Sequence, residues 1–522
     1  MLRPSITSEK VLALATAAVG VVSIVSALTP ELTSRSKLIS GVLPEGAPQF
    51  AGAVTLAFGI ALLWLSLALA RRKRRAWQLA VLLMLGTAVS HLVKGLDFEE
   101  ASASLLVLAG LLYRRRSFVV EGDPESVRPL LYVAVGLGAV SGALAFGSQH
   151  PLPERVEEGL GMLAAALVFC ALALWLRPFA QHLHQGGDAR SEAQRIVTET
   201  GCDTLSFFAL RDDKSYFFSP SGRTFLAYRV LGGVALVSGD PIGDEAEAGE
   251  LVAEFRRVSQ ARGWRTAILA SREELLPVYR SMGLKPLYLG DEAVVVPREF
   301  SLEGRPIRKV RQSVTRLERE GYRTRILTVA DVDDELAEEL LAVSAEWRGR
   351  WPERGFTMAM DGIFCHPESL VAVAERDGKV GGFIHLVPVP ATGGISLASM
   401  RRRQDVPNGL MEFLLARTIE WAREHDVPEF SLNFSVFADL IRDPRPGWQS
   451  AARFALLRLD RLFQLDRLLR FNRKFFPEWR PRYICLESRL DFPLVGLAYL
   501  RAESLLTPPG PWARSGDMAA RE

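Results

Sequence analysis

Cysteine and metal-binding patterns are scarce in this sequence of 522 residues. Its four cysteines are scattered along the chain, with no CxxC pair and no cluster of cysteine with histidine. This scarcity excludes a disulfide-stabilised secreted domain, argues against a structural zinc site, and is typical of a reducing compartment. The HExxH, GxSxG and GxxxxGK(S/T) motifs are also missing, which disfavours zinc hydrolases, serine hydrolases and P-loop nucleotidases.

Charge is nearly balanced overall but is distributed unevenly along the chain. There are 63 basic and 60 acidic residues, a net charge of +3, and 48% of all residues are hydrophobic. Residues 1–176 contain 15 basic and 12 acidic residues, which leaves 48 of each for the remainder. An apolar first third before an ordinary soluble composition predicts an integral membrane domain over residues 1–177, followed by a cytoplasmic region.

Six apolar stretches in this first third predict membrane-spanning helices, each of which needs about 20 mostly apolar residues. They are Val11–Leu28, Ala51–Ala70, Trp77–Val93, Ala101–Tyr113, Pro129–Gly147 and Gly159–Leu176. Arginine clusters at 71–75 and 114–116 follow the second and fourth stretches. By the positive-inside rule, the chain is predicted to be a multi-pass cell-membrane protein with its N-terminus and C-terminal region in the cytoplasm. The same clusters are also compatible with anionic lipid headgroups.

The remaining residues predict a linker and entry helix over 178–200, two α/β units, and a disordered tail over 508–522. Strand-like and helical runs alternate in two successive rounds, over 201–321 and 322–507, which indicates a duplicated fold. The strand-like runs of the first round are Phe207–Leu210, Tyr216–Ser219, Arg223–Val230, Val234–Ser238, Thr266–Leu269, Pro286–Leu289 and Ala293–Val296.

A helix predicted over Gly409–His425 has a chemically suggestive start. Asn408 is a residue type that caps helices, and the free N–H groups of the first turn would receive an anion or an oxyanion. Residues 401–409 (RRRQDVPNG) do not supply the glycine spacing with which acetyl-CoA-dependent acyltransferases bind pyrophosphate. Acetyl-CoA is therefore disfavoured as a donor. A plain structural helix cap at Asn408 remains an equal alternative to an anion-binding site.

Two segments of the neutral cytoplasmic region are strongly basic. Residues 305–325 contain 8 basic and 2 acidic residues, and residues 442–482 contain 11 and 4. Each segment could face an anionic membrane leaflet or an RNA backbone. A solvated helix face explains the first segment equally well.

Seven motifs stand out in the cytoplasmic region, over about residues 190–490. They are FFSPSGR at 217–223, FLAY at 225–228, SGDPIG at 238–243, FSLEG at 300–304 with RQSV at 311–314, ERGFTMAMD at 353–361, PNGLMEF at 407–413 and FNRKFFPEWRPRY at 471–483. In sequence and in order, these motifs resemble those of the phosphatidylglycerol lysyltransferase family.

This resemblance implies a tandem GNAT-like acyltransferase fold behind a shortened membrane domain. It implies transfer of an amino acid, with lysine expected, from an aminoacyl-tRNA to the headgroup of phosphatidylglycerol, which makes the lipid less anionic. An aminoacyl ester is already activated, so we expect aminoacyl-tRNA as co-substrate, and no other cofactor and no metal. The partners would then be charged tRNA and membrane lipid.

Eight residues at motif positions or in the basic segments are candidates for the site. The carboxylates could hold the ammonium groups of a cationic amino acid or act as general base, and the cations could bind a lipid phosphate or the tRNA 3′ end. We expect catalytic roles for Glu412, Lys474 and Asp361, and substrate binding by Arg401, Asn408, Gly409, Arg482 and Arg311. Solvated carboxylates and cations lying over the core are the plainer alternatives.

Two other functions remain open from the sequence. The chain could be a GNAT-like transferase that acts on another acceptor, such as a peptidoglycan precursor or a different lipid. It could also be a membrane-tethered protein that binds lipid or RNA and has lost the chemistry.

Overall fold

The computed structural model describes residues 8–28, 47–118 except 96, 120, isolated positions between 132 and 175, 186–436 except 350, 352–354 and 361, and 465–506. The chain separates into two compact units. One contains Met1–Ala180 with Arg257–Trp264, and the other contains Gln181–Arg256 with Arg265–Glu522.

Four long helices make up most of the described part of the first unit, and they match the first four predicted apolar stretches. They are α1 (Ser8–Leu28), α2 (Ala47–Leu69), α3 (Arg74–Gly95) and α4 (Phe98–Tyr113). Two segments, Glu9–Ala27 and Arg74–Val93, are long and apolar enough to cross a membrane, and Val54–Leu69 is a shorter apolar helix. The fifth and sixth predicted spans lie outside the described residues except for isolated positions. The six-span domain therefore stays a prediction.

Small residues let α1 and α2 approach closely. A Cβ atom on Gly20 would lie 2.8 Å from the carbonyl oxygen of Gly59, and a Cβ atom on Gly59 would lie 2.8 Å from the carbonyl oxygen of Gly20. Contact of this kind through small residues is how apolar helices pack when hydrophobic burial alone cannot drive their association.

The second unit combines eight helices with twelve strands among its described residues. The helices are α5 (Gly187–Thr200), α6 (Glu245–Ala261), α7 (Leu276–Ser281), α8 (Arg308–Arg319), α9 (Asp334–Arg348), α10 (Leu410–Glu424), α11 (Leu465–Asn472) and α12 (Phe492–Ala502). The strands are β1 (Ser215–Phe218), β2 (Thr224–Leu231), β3 (Val234–Ser238), β4 (Ile242–Gly243), β5 (Arg265–Ser271), β6 (Lys285–Val295), β7 (Arg323–Thr328), β8 (Leu370–Arg376), β9 (Lys379–Val389), β10 (Gly394–Arg402), β11 (Phe430–Val436) and β12 (Glu478–Leu486).

Three of the predicted strands differ in the structure. The segment predicted as strand Phe207–Leu210 is a buried 3₁₀ turn, Ser206–Leu210. The two strands predicted at Pro286–Leu289 and Ala293–Val296 are one continuous strand, β6. Its middle carries buried Asp291 and Glu292, whose charges interrupted the apolar pattern in the sequence.

One mixed sheet runs through both predicted α/β units. Its order is β1-β2-β3-β5-β12-β6-β11-β10-β9-β8-β7, with β4 paired to β2. The β3–β5 and β10–β11 pairs are parallel, and the neighbouring pairs are antiparallel.

The order of elements repeats along the chain. An antiparallel set ending in β3 is followed by α6, parallel β5, α7 and β6, and a set ending in β10 is followed by α10, parallel β11, α11 and β12. The last strands are exchanged between the two rounds, because β12 inserts between β5 and β6 while β6 pairs with β11. The division into two duplicated units at residues 321/322 therefore remains a prediction, and a single sheet is continuous across that point.

Helices cover both faces of the C-terminal part of this sheet. One face carries Ile384 and Leu386 and packs against apolar residues of α8 and α10. The opposite face carries Phe383 and packs against α9. Successive strand residues point to opposite faces of the sheet, so neighbouring residues of one strand belong to different faces and cannot contribute to the same site.

Candidate active site

A partly exposed ion pair lies at the start of α10. The Lys474 ammonium is 2.6 Å from Oε1 of Glu412, and the side chains are 38% and 20% exposed. Glu412 is in the first helical turn, where the helix dipole favours a negative charge. The structure thus brings together two of the three residues predicted to be catalytic, which are 62 positions apart in sequence.

Aromatic side chains form a wall beside this pair. The Lys474 ammonium lies 5.4 Å from the centroid of the Phe471 ring, and Phe471 is 5.5 Å from the ring of buried Phe475. Phe475 in turn lies 6.5 Å from Phe300. A cation over a ring face is attracted by the ring, so this contact helps to hold the Lys474 ammonium beside the apolar surface.

The prediction that Asn408 caps α10 is wrong. The N-cap residue is Gly409, with φ of +88°, and no side chain caps the helix. The carbonyl of Asn408 instead accepts a hydrogen bond from Arg316 of α8. Glycine is needed because a Cβ at this position would lie 2.6 Å from Oγ of Ser313 and because L residues rarely adopt this φ.

The sheet opens between β10 and β11. Only Ile395–Phe430 and Ser396–Ser431 are paired, and an irregularity in β10 follows at Leu397–Ser399. The Asn433 amide holds the opening by donating to the carbonyls of Leu397 at 2.9 Å and Met358 at 2.7 Å. The sequence analysis did not predict this opening. In the structure it coincides with the left-handed backbone of Asn433, whose φ is +71°.

Arg401 lies away from the Glu412–Lys474 pair, on the sheet face covered by α9. Its guanidinium donates to Oγ of Ser344 and lies 6.0 Å from the Trp347 ring. Its neighbour His385 is buried, and this burial, with the positive charge of Arg401 and the nearby His366, lowers the pKa of the His385 imidazole to about 3. His385 is therefore neutral near pH 7.

Several buried polar atoms around Arg401 and His385 have no hydrogen-bond partner within the described part of the chain. They include Nε2 of His385, both ring nitrogens of His366, Oγ of Ser369 and Oγ of Ser399. Buried polar groups are normally satisfied, so this cluster has capacity for further polar contacts, such as water. No sequence motif drew attention to either histidine.

Arg482 belongs to a different cluster, which corrects its predicted contact with substrate phosphate. It is 4% exposed and donates to Glu292 at 2.9 Å and to Asp203 at 2.7 and 2.8 Å. Nη1 and Nη2 make further contacts with the Ala270 carbonyl and with Oγ1 of Thr204. Because its donors are used within the chain, we assign Arg482 to the joint between the exchanged strands.

Alternating charges extend from Arg482 into the N-terminal half. Burial opposes ionisation of Asp203, but Arg482 and Arg272 outweigh it and lower the pKa of that carboxyl to about 2. Asp240 shows the opposite direction, because burial and repulsion from Asp203 raise its pKa. Tyr279 donates to Asp240 at 2.7 Å. The members of this cluster satisfy one another, as in a structural network. Asp203, Asp240 and Arg272 also line a small cavity at its edge.

The two remaining predicted residues contribute differently. Nη1 of Arg311 donates to the carbonyls of Leu302 at 2.6 Å and Gly304 at 3.0 Å, so it holds the loop before α8 and does not lie in the Glu412–Lys474 site. Asp361 falls outside the described residues. Within the described residues, no group of three His, Cys, Asp or Glu side chains could hold a metal ion.

Comparison with known protein families and sequences identifies relatives of this chain. Residues 194–486 match the family model described as "Phosphatidylglycerol lysyltransferase, C-terminal". The chain is 32% identical over 518 residues to the lysylphosphatidylglycerol biosynthesis bifunctional protein LysX of Rhodococcus jostii, covering 90% of this chain and 46% of that protein. The corresponding protein of Mycobacterium tuberculosis H37Rv is 35% identical over 405 residues, covering 75% and 34%. The chain thus spans less than half the length of these curated relatives.

Two solved structures share the fold of the second unit. One is the C-terminal domain assigned to a lysylphosphatidylglycerol synthetase from Agrobacterium fabrum, with 26% identity, a TM-score of 0.53, and coverage of 61% of this chain and 97% of that one. The other is L-PGS from Bacillus licheniformis, with 24% identity, a TM-score of 0.55 and the same coverage.

Proposed function

The chain belongs to the phosphatidylglycerol lysyltransferase family, and on that premise we propose that it transfers an aminoacyl group from aminoacyl-tRNA to the glycerol headgroup of phosphatidylglycerol. The observation that carries this proposal is the Glu412–Lys474 pair at the start of α10, at 2.6 Å and partly open to solvent. We propose lysine as the amino acid because the named relatives are lysylphosphatidylglycerol biosynthesis proteins.

The pair has the two functions that ester exchange requires. A glycerol hydroxyl attacks the carbonyl carbon of the aminoacyl ester, and Glu412 receives the hydroxyl proton. The Lys474 ammonium stabilises the oxyanion of the tetrahedral intermediate. The bond from that carbon to the tRNA ribose oxygen then breaks, and the proton passes from Glu412 to the ribose oxygen. The products are the aminoacyl ester of phosphatidylglycerol and uncharged tRNA, without a net change of protons.

The proposed fold assignment is a pair of GNAT-like units. It is supported by the repeated order of strands and helices and by the opening between β10 and β11 after two paired residues. The pyrophosphate-binding glycine pattern is replaced at 401–409, and the helix start instead carries the Glu412–Lys474 pair. This difference favours an ester donor that brings its own activation over a coenzyme A thioester.

We further propose that the first unit is a multi-pass membrane anchor with both arginine clusters on the cytoplasmic side. Arg72 donates through Nε to the Ser117 carbonyl at 2.8 Å, and the backbone N–H of Arg74 donates to the Val120 carbonyl at 2.8 Å. Trp175, near the end of the sixth predicted span, donates to the Arg75 carbonyl at 3.2 Å. Helices that alternate in direction would bring these three loops to one side, as the positive-inside rule requires.

Lipid mass spectrometry of membranes from cells that express the full chain tests the function. We expect a phosphatidylglycerol species heavier by one lysyl residue, and Glu412→Gln and Lys474→Met should each abolish it at unchanged protein level. A matched control is the exposed pair Arg325–Glu375 at 3.6 Å, because Arg325→Met and Glu375→Gln remove a comparable surface pair elsewhere in the same half.

The donor is tested with isolated membranes that contain the protein. Transfer of radiolabelled lysine should occur from lysyl-tRNA and should stop when RNase is added first. Transfer that persists with RNase, or a modified lipid that survives both Glu412→Gln and Lys474→Met, would contradict the proposal. A lipid carrying a different amino acid would retain the reaction and replace lysine.

A further inference from the structure

Exposed apolar side chains of the second unit are concentrated around its C-terminal helix, α12. Seven large apolar side chains are exposed among the described residues of this unit, and four of them lie within residues 490–506. These four are Leu490, which is 88% exposed, Phe492, Leu497 and Leu506. Single exposed apolar side chains are ordinary on a protein surface, whereas a cluster of them marks a place of contact with a partner or a membrane.

The first three of these side chains belong to the solvent side of α12 and of the 3₁₀ turn Arg489–Asp491 that precedes it. Pro493, Leu497 and Arg501 are exposed and recur every four residues, so they lie along one side of the helix. A Cβ atom added to Gly496 would meet no atom of the described residues within 4 Å. This side of the helix is therefore uncovered in the part of the chain that the structure describes.

The opposite side of α12 is fixed in the core. Val495, Ala498 and Ala502 are buried, and they belong to the same apolar cluster as Leu236 of β3. The helix cannot turn to bury Leu497 without withdrawing these three residues from the core. The apolar outer side is therefore a permanent feature of the surface.

The acidic side chains of residues 487–503 are engaged within the second unit. Asp491 is buried and pairs with Arg265 at the start of β5. Glu503 is also buried, and Glu487 accepts a hydrogen bond from a backbone N–H of β5 at 3.4 Å. The acids of this segment thus contribute little negative charge to its outer surface.

The cations of the same segment have the opposite placement. Arg489 and Arg501 are exposed, and within the described residues neither forms an ion pair. An RNA partner would match these charges but would leave Leu490 and Leu497 facing water. A second copy docked through the same surface would bring the arginines of two chains together, because such an interface is self-complementary. Apolar side chains flanked by arginine are typical of helices that lie in the headgroup region of an anionic bilayer.

We infer that this surface, which we call the α12 face, docks on the anionic surface of a lipid bilayer. The α12 face consists of Arg489, Leu490, Phe492, Pro493, Leu497 and Arg501. Its apolar side chains enter the headgroup region, and its arginines contact lipid phosphates. A face of this size binds a bilayer weakly by itself, and a membrane anchor on the same chain raises its effective concentration there. The inference therefore rests on the proposed anchor and is independent of the proposed reaction.

The test places a fluorescent reporter on the α12 face of the full chain in lipid nanodiscs. Gly496→Cys carries a nitrobenzoxadiazole label, in a background where Cys170, Cys202 and Cys365 are replaced by serine. The nanodiscs contain equal parts of phosphatidylglycerol and phosphatidylcholine, with a nitroxide near the top of one phosphatidylcholine acyl chain as quencher. We expect the nitroxide to remove about half of the emission, and less in nanodiscs of phosphatidylcholine alone.

Variants of the α12 face separate its apolar and charged parts. Leu490→Ser/Leu497→Ser should reduce the quenching about threefold, because the side chains that enter the bilayer are lost. Arg489→Gln/Arg501→Gln should remove the difference between the two lipid compositions. The matched pair Arg280→Gln/Lys285→Gln removes two exposed cations from other elements of the second unit and should change neither result. Circular dichroism checks that each variant is folded.

Three results would overturn the inference. The first is no quenching of the label at position 496 in phosphatidylglycerol nanodiscs, while a label introduced by Leu112→Cys near the end of α4 is quenched. The second is quenching that the folded Leu490→Ser/Leu497→Ser variant retains in full. The third is disulfide cross-linking of two unlabelled Gly496→Cys chains, because a second copy would then cover the face.

The same measurements separate docking from the proposed function. Quenching at position 112 without quenching at position 496 leaves the anchor in place and makes the docking face wrong. Quenching at 496 without quenching at 112 does the reverse. Lipid mass spectrometry of the same preparations judges the reaction: quenching at 496 in a chain that never modifies lipid supports docking and contradicts the aminoacyl transfer.

Discussion

The guanidinium of Arg482 on β12 and the carboxylate of Glu292 on β6 form a buried contact, with Nε 2.9 Å from Oε2. Glu292 is fully buried, and its other oxygen accepts from Thr204 and Ser431, each at 2.5 Å. This contact joins the two strands that the halves exchange. The charges are therefore a fixed part of the joint, and removing one of them leaves the other without compensation.

We predict that Arg482→Met lowers the free energy of unfolding by about 3–5 kcal/mol, because it leaves Glu292 buried without the guanidinium that pairs with it and leaves Asp203 with only the more distant Arg272, at 3.6 Å. Urea unfolding of the detergent-solubilised chain measures this. Arg480→Gln is the control, since Arg480 forms an exposed pair with Glu429 at 2.7 Å and its loss should cost less than about 1 kcal/mol. Equal effects of the two substitutions would contradict the structural role of Arg482.

Asp203 predicts an acid dependence of stability. Its folded-state pKa of about 2 lies below the ordinary aspartate value of 3.8, so its ionised form stabilises the fold above about pH 4. That contribution, about 2 kcal/mol, is lost as the pH falls from about 4 towards 2. We expect Asp203→Asn to be less stable at pH 7 and to show a flatter decline in this window. A variant with the same decline as the parent protein would show that Asp203 does not carry it.

His385 predicts a second pH range in which stability falls with falling pH, as it does for Asp203. Its folded-state pKa of about 3 lies below the ordinary histidine value of 6.5, so the neutral ring stabilises the fold above about pH 6.5. That contribution declines as the pH falls from 6.5 towards 3, because the unfolded chain binds the proton first. The urea unfolding energy of His385→Gln between pH 7.5 and 5 should therefore vary less than that of the parent. An imidazole resonance of His385 that titrates near pH 6.5 would rule this out.

Gly409→Ala tests the contact between α8 and α10. We predict a loss of about 2–3 kcal/mol, from the left-handed backbone and from the overlap with Ser313. Gly378→Ala is a matched control, because Gly378 has a φ of +74° and no atom lies within 4 Å of the position that an added Cβ would occupy. It should lose only the backbone contribution of about 1 kcal/mol. Ser313→Gly should then recover part of the loss in Gly409→Ala, and no recovery would mean that the overlap is not the cause.

The sequence predicted site residues that lie within recognisable motifs. It could not predict roles that depend on a partner far away in the sequence. Glu412 and Lys474 are in two separate motifs, and the structure places them in contact. Arg482 is also in a motif, but Asp203, which fixes its role, is 279 positions away and carried no local signal. Asn408 followed a sound residue preference, yet the tight packing of Ser313 required glycine at the cap.

The fold shows the same division. Alternation of strand-like and helical runs was enough to predict two rounds of α/β structure and the helix at 410–424. It could not predict that the last strands are exchanged, because the same apolar pattern fits either neighbouring slot in the sheet. The segment Phe207–Leu210, predicted as a strand, has strand-like residues, but it belongs to a 3₁₀ turn whose five residues, Ser206–Leu210, are all buried.

The strand exchange has a consequence for biosynthesis. The slot between β5 and β6 is filled by β12, whose residues leave the ribosome only after all of β7 to β11. At about 5–20 residues per second, the N-terminal half presents two unpaired strand edges for on the order of ten seconds. Nascent chains of this protein should therefore depend on chaperone protection during that interval, and a ribosome stalled before β12 would release a half-sheet that aggregates.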